Sequence, residues 1–473
     1  MTSEARRLHP AAIAVLALGA LREAAVPIVV LLGLSIAGRG MDSEALLRGG
    51  AYLIGGVAIS SLMGYMRWRS TTYSVDPEGV HLRTGIFSKK ATTIPLSRVQ
   101  ALDTLQGPIQ RLFGVLTLQV QTAGGGAKGE IVLEALTPEA VEELREAVRE
   151  RAPAGPPEDA PPAPWRRLSR ARLLVTALTA GQLGVILPVL AGASQFIDEL
   201  FSRDDEVQAA SSLVPDTAAG WLLYGAIVLT AAWALSAVGA AVAFAGFAVT
   251  REGDRLRLRR GFLQRSESAV PVARIHGIRI VEGTLRQPFG LASLRLVVAG
   301  YAEEASTMRT LFPLLRRDEV ESFLAELLPE LADDPGGLAP PPARSARRYI
   351  LPRFLVGAIA GGASCLLAPG VAPWPLLAAP VLGLDGWLNY RAAGWRLTEG
   401  RLALRSRQLA RVTLLARADR LQELSLAQNL LQRRARLGDV SVEVGKDGEG
   451  RVRHLEAATA HELWERLRLA SVS

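Results

Sequence analysis

Ile94-Pro95-Leu96-Ser97-Arg98-Val99-Gln100, followed closely by Gln110-Arg111-Leu112-Phe113-Gly114, decides how this chain is read. The pattern returns 176 residues later as Val270-Pro271-Val272-Ala273-Arg274-Ile275-His276, then Arg286-Gln287-Pro288-Phe289-Gly290. A weaker third copy, Arg420-Leu421-Gln422 with Gln432-Arg433, follows the first by 322 residues. Leu133-Glu134-Ala135-Leu136-Thr137 and Leu455-Glu456-Ala457-Ala458-Thr459 are also 322 apart. One unit is present three times, and a repeat fixes the architecture before any single motif does.

Outward from the motif, periodicity gives the unit its strands. Val80 and Leu82 alternate with His81 and Arg83, and Leu116, Leu118 and Val120 with Thr117, Gln119 and Gln121. Leu256 and Leu258, Leu294, Leu296 and Val298, Leu402 and Leu404, and Val440, Val442 and Val444 repeat the pattern. Period-two alternation predicts antiparallel strands with one buried face. Each copy then closes with an amphipathic helix: Val141, Leu144 and Val148 in the first, Val320, Phe323, Leu324, Leu327 and Leu328 in the second. Thr137-Pro138 supplies an N-cap and a first-turn proline, and Thr459-x-x-Glu462 reads as a capping box opening the last helix. Phe113 reads as a buried aromatic of the first unit.

Before each unit lies an apolar stretch interrupted once. Residues 10–37 and 46–66 form the first, about 173–197 and 219–248 the second, and about 348–390 the third. Spans of roughly 20 apolar residues cross a bilayer, so these are three helical hairpins and six spans. The expected limits are hairpins at 1–70, 173–248 and 348–390, units at 71–151, 249–331 and 391–473, and Pro-rich linkers at 152–172 and 332–347. Hairpin-to-unit junctions are basic: Arg67 and Arg69, Arg166 to Arg172, Arg251, Arg347 and Arg348, Arg391. The loop of the second hairpin is acidic, with Asp198, Glu199, Asp204, Asp205, Glu206 and Asp216. That asymmetry puts the units and both termini in the cytoplasm.

Composition agrees. Of 473 residues, 49% are hydrophobic but only 5% aromatic, and the net charge is +8. Beside membrane spans, the positive balance reflects cytoplasmic-face bias rather than nucleic-acid binding. One cysteine, Cys365, excludes an internal disulfide framework and a multi-cysteine metal site.

A membrane hairpin, then G-[V/L]-x-L-x-x-G, I-P-x-x-R-V-Q and Q-R-L-F-G, resembles a bacterial pleckstrin-homology (PH) family once known only as a domain of unknown function. The triple arrangement resembles its multi-pass members. The likeness covers nearly the whole chain and weakens with each copy: His276 replaces the glutamine, Pro288 interrupts Arg-Leu, and Arg417 takes the place of the proline. It implies three PH-like α+β units, each a strongly bent seven-stranded antiparallel sheet capped by a C-terminal helix. It assigns no activity.

Three residue groups stand out. Arg98 and Gln100, Arg274 and His276, and Arg420 and Gln422 are a repeated polar pair: a groove for a ligand or neighbour, or side chains serving a sheet corner. Lys89 and Lys90, with Arg259, Arg260 and Arg265 in the second unit, form a basic juxtamembrane set suited to anionic headgroups or to plain solvation. Arg22, Glu23, Arg353 and Asp385 are polar groups in or near lipid. His9, His81, His276, His454 and His461 are scattered, and no HExxH, GxSxG or Walker A motif occurs. The reading is therefore a non-enzymatic membrane protein without catalytic residues, metal or cofactor. Its three units serve as a protein and lipid interaction platform, with membrane lipids and another membrane protein, or self-association, as partners. The alternative is a lipid-handling or transport protein that uses the six-helix bundle.

Overall fold

The structure is a computed structural model that describes residues 5–19, 43–76, 78–86, 88–122, 131–151, 164–179, 217–298, 310–334, 336–367, 374–445 and 448–472. Unit one begins before its own hairpin. Strand β1 (Arg6–Arg7) pairs with β2 (Thr72–Val75), Arg6 opposite Tyr73, across helix α1 (Ser43–Ser70). Then come β3 (Gly79–Thr84), β4 (Lys90–Pro95), β5 (Val99–Gln106), β6 (Leu116–Thr122), β7 (Ile131–Leu136) and the closing helix α2 (Pro138–Arg151).

Unit two repeats the order: β8 (Arg166–Arg167), helices α3 (Arg170–Thr179) and α4 (Ala218–Phe244), then β9 (Ala248–Glu252), β10 (Arg255–Arg260), β11 (Arg265–Pro271), β12 (Ile275–Glu282), β13 (Leu291–Val298), β14 (Thr310–Arg316) and α5 (Val320–Leu327). Unit three has helices α6 (Ala346–Leu367) and α7 (Ala378–Ala392), then β15 (Gly394–Thr398), β16 (Arg401–Arg407), β17 (Arg411–Arg417), β18 (Glu423–Ala427), β19 (Leu437–Glu443), β20 (Glu449–Glu456) and α8 (Ala457–Val472). A single bridge, Ala339 to Trp395, replaces the opening strand there.

The strands form as the alternation requires. Leu118 and Val120, Leu294 and Leu296, and Val440 and Val442 are all buried. Thr137 caps α2 through its hydroxyl to the Ala140 amide (3.3 Å). The corresponding Thr459 does not cap: α8 starts two residues earlier, at Ala457, so Thr459 lies within its first turn. Phe113 is not core. It ends the short helix Pro108–Leu112 and is 48% exposed, because that helix caps a hairpin tip outside the sheet sandwich.

The sheets do not stop at unit boundaries. The three strands β5 to β7 of unit one continue into β8 to β11 of unit two as one seven-stranded sheet. Strands β12 to β14 of unit two join β15 to β17 of unit three in a six-stranded sheet. The first seam sets Gln106 opposite Arg265 and Thr104 opposite Glu267; the second sets Glu282 opposite Arg411 and Ile280 opposite Thr413. These are equivalent positions, so both seams share one register. The cores interlock as well: Ala403 and Leu415 pack into the core of unit two, and Val297 into that of unit three.

Among the described helices, Leu223–Phe244 and Ala343–Leu367 are long and apolar enough to cross a membrane. Helix α1 leaves Ile54, Val57, Ile59 and Leu62 exposed, and α7 leaves Val381 and Leu384 exposed, apolar surface of the kind that lipid covers. The third hairpin packs through small residues. A Cβ on Gly357 would lie 2.4 Å from the Ala378 carbonyl oxygen, and one on Gly361 2.3 Å from that of Pro375. The distal part of the first expected span, with Arg22 and Glu23, lies outside the described residues.

Candidate functional site

The motif that defines the repeat builds the tips and seams of the units. Gln110 accepts from the Gly107 amide and donates to Thr117 Oγ1 (2.7 Å). In unit three Gln432 likewise accepts from the Asn429 amide and donates to Asp439. Thr117 and Asp439 each sit where the strand register shifts, so this glutamine supports a bulge.

The next residue works across the seam. Arg111 donates to the Phe262 carbonyl (2.9 Å) in the β10–β11 turn of unit two. Gln287, at the equivalent place in unit two, donates to the Leu409 carbonyl (2.9 Å) in the β16–β17 turn of unit three. Units one and two thus each hold the hairpin turn of the unit that follows.

Those turns lie beside the hairpin helices. Gly261 and Phe262 donate to the Ala245 and Val242 carbonyls at the end of α4 (2.8 and 3.1 Å). Arg286 reaches Thr179 Oγ1 (2.9 Å) and the Thr176 carbonyl in α3. Arg407, in β16, reaches Asp385 in α7 (2.7 Å). On this same side each unit leaves large apolar residues uncovered: Leu112 and Phe113, then Phe262, Leu263 and Phe289, then Leu409, Leu430 and Leu431. Leu112 is 80% exposed. Together they make an apolar rim next to the hairpin helices.

Beside the first hairpin a pocket of about 490 Å³ opens between Leu16, Met63, Arg67, Ile86, Val132 and Glu134. Burial pushes the Glu134 carboxyl above its usual range, and Arg67 pulls it back. A second hollow of about 420 Å³ at the unit two–three seam is lined by charges that pair among themselves, Arg401 with Glu399 (3.0 Å) and Arg417 with Asp419 (2.6 Å).

The family profile of the bacterial PH domain matches residues 13–152, 183–331 and 349–471. The chain belongs to the bacterial PH domain family. Its three PH units align with a UPF0699 transmembrane protein, YdbT of Bacillus subtilis (strain 168), at 27% identity over 85% of this chain and 84% of that protein. A shorter match, 28% identical over 75 residues, covers 16% of this chain and 47% of YdbS, another UPF0699 transmembrane protein of the same organism. No solved structure matches.

Within the PH units, the polar pairs belong to corners and seams. The β5 register shifts between Val99 and Ala101, and the β12 register between Ile275 and Gly277, so Gln100 and His276 occupy one repeated bulge position. His276 faces the next unit: burial and the nearby Arg420 guanidinium both hold its imidazole below the usual range. Arg98 is exposed, as are Arg420 and Gln422.

The basic set divides. Lys89, Lys90 and Arg265 are exposed. Arg259 pairs with Glu267 (3.2 Å) and stacks on Trp165. Arg260 is drawn inward towards Asp103, which is fully buried; burial lowers this guanidinium to about 10. Arg353 and Asp385 pair with each other (3.2 Å). Sequence reasoning missed Arg407, Asp103 and the seam role of Arg111, because a strand's alternation names a face but not the partner beyond its edge. The signal for Arg111 was present in its recurrence at one offset. Among the described residues, no group of three or more His, Cys, Asp or Glu is placed to hold a metal.

Proposed function

We propose that this protein is a non-enzymatic membrane platform. Six spans would hold three cytoplasmic PH units against one face of the bilayer, where they bind lipid and protein partners. The observation that carries this is the apolar rim. Large exposed apolar patches on a water-soluble surface mark contacts, and here every unit shows one on the side where its hairpin joins. Exposed Lys89, Lys90 and Arg265 add positive charge that suits anionic headgroups, at about 1 kcal/mol per residue near the surface. Shared sheets then make the three surfaces one body.

The test uses the full-length chain in native membranes, with Cys365 replaced and a polarity-sensitive fluorophore at position 112, 289 or 430. Lipid-borne quenchers should quench all three labels and spare a label at 321. Equal quenching at 112 and 321 would remove the rim from the bilayer.

A lipid-handling role is the second reading, favoured by the 490 Å³ pocket with its apolar wall and Arg67. It requires a lipid to co-purify with the protein and to be lost on Arg67→Ala.

A further inference from the structure

The seams repeat, and among the described residues the repeat is left open at both ends. In unit one, β4 is the last strand of its sheet; in unit three, β18 is the first of its own. These are the equivalents of β11 and β17 on one side, and of β5 and β12 on the other, all of which pair across a seam. We infer that β18 of one copy pairs with β4 of a second copy, continuing the array end to end. The idea deepens the platform reading and rests on it.

Several observations point to a second copy. The two internal seams use one register, and the repeat offsets carry it outward without adjustment. Ile280 opposite Thr413 and Thr104 opposite Glu267 become Leu426 opposite Ala91. Ile280 and Thr104 are 0% and 6% exposed under their neighbouring units, whereas Leu426 is 38% exposed. Ala91, too, is exposed. The latch is also in place: Arg433 takes the position of Arg111 and Gln287, is exposed, and would meet the β3–β4 turn of the next copy.

Lysine and proline on an edge strand commonly guard against pairing, and β4 carries Lys90 and ends in Pro95. Here they are no barrier. Strand β11 starts with Arg265, ends in Pro271 and still pairs with β5. The contact is head-to-tail rather than two-fold, so it generates rings or open rows rather than closed dimers.

Two tagged forms of the full-length chain, both Cys365→Ser, are produced together. One carries Leu426→Cys and the other Ala91→Cys, and membranes are oxidised before separation by size. A mixed-tag dimer should form, several-fold above that of Leu426→Cys with Lys89→Cys, and Arg433→Ala should reduce it. A single chain carrying both cysteines should give a ladder. No mixed dimer, an equal yield from the shifted pair, or a product joining this chain to a different protein would each overturn the inference. Fluorophore quenching at the rim does not depend on this contact, so the platform reading can survive its failure.

Discussion

Arg407 donates to Asp385 at 2.7 Å, joining β16 of unit three to the last helix of the third hairpin. The pair does not stand alone. Asp385 also receives Arg353 (3.2 Å) and Asn389 (3.1 Å), and Arg407 donates to Gln287 of unit two (3.1 Å). Hairpin, unit three and unit two meet through Asp385 and Arg407. Asp385→Ala would take the only carboxylate partner the described residues give two guanidinium groups, one of them on a side chain only 9% exposed. Loss of a charged hydrogen-bond partner at this partly buried site costs about 1–3 kcal/mol. Protease resistance of unit three in detergent should fall markedly, and Asp385→Asn should fall less.

Asp103 predicts a pH dependence. Burial raises its carboxyl to about 7, against 3.8 in the unfolded chain, with Arg260 opposing the rise. The folded state therefore holds the proton between those values and the unfolded state does not. Stability from this group is complete below about pH 4 and declines as pH rises towards 7, by up to about 1.4 kcal/mol per pH unit. Asp103→Asn should flatten this part of the curve, measured by thermal unfolding in detergent across pH 4 to 8. An unchanged curve would show that Asp103 does not set it.

Gly357 allows α6 to touch α7. A side chain there must displace the Ala378 carbonyl, so Gly357→Val should separate the helices and cost about 1–3 kcal/mol. Gly362, with nothing within 4 Å of its would-be Cβ, is the control. The melting temperature in detergent should drop for Gly357→Val and stay put for Gly362→Val.

Phe113→Ala should leave folding nearly intact, with a change below about 1 kcal/mol, since the ring is about half exposed. It should instead reduce lipid quenching of a label at 112. A protein that unfolds on this change would return Phe113 to the core.

Cysteine labelling of intact cells should reach position 208 from outside and miss position 321 until the membrane is permeabilised. Labelling of 321 from outside would reverse the orientation.

Much of the fold was legible in the sequence. The offsets of 176 and 322 gave three units, and alternation at Leu116, Leu118 and Val120 gave strands, although Thr117 and Gln121 between them are buried as well. Pairing was not legible. Nothing in Ser266 or Thr104 says that they belong to adjoining strands, because a ladder between backbones carries no side-chain signature. The opening strand Arg6–Arg7 was hidden for a related reason: two residues give no period. Phe113 was misplaced because an aromatic in a repeated motif suits an exposed tip as well as a core.

The shared sheets also constrain how the chain is made. Strand β5 ends at Gln106, and its partner Arg265 lies beyond the whole second hairpin. That edge waits, unpaired, while the ribosome delivers the intervening helices. Units one and two are therefore completed only after the following hairpin has been made, so assembly of the shared sheets runs one hairpin behind synthesis.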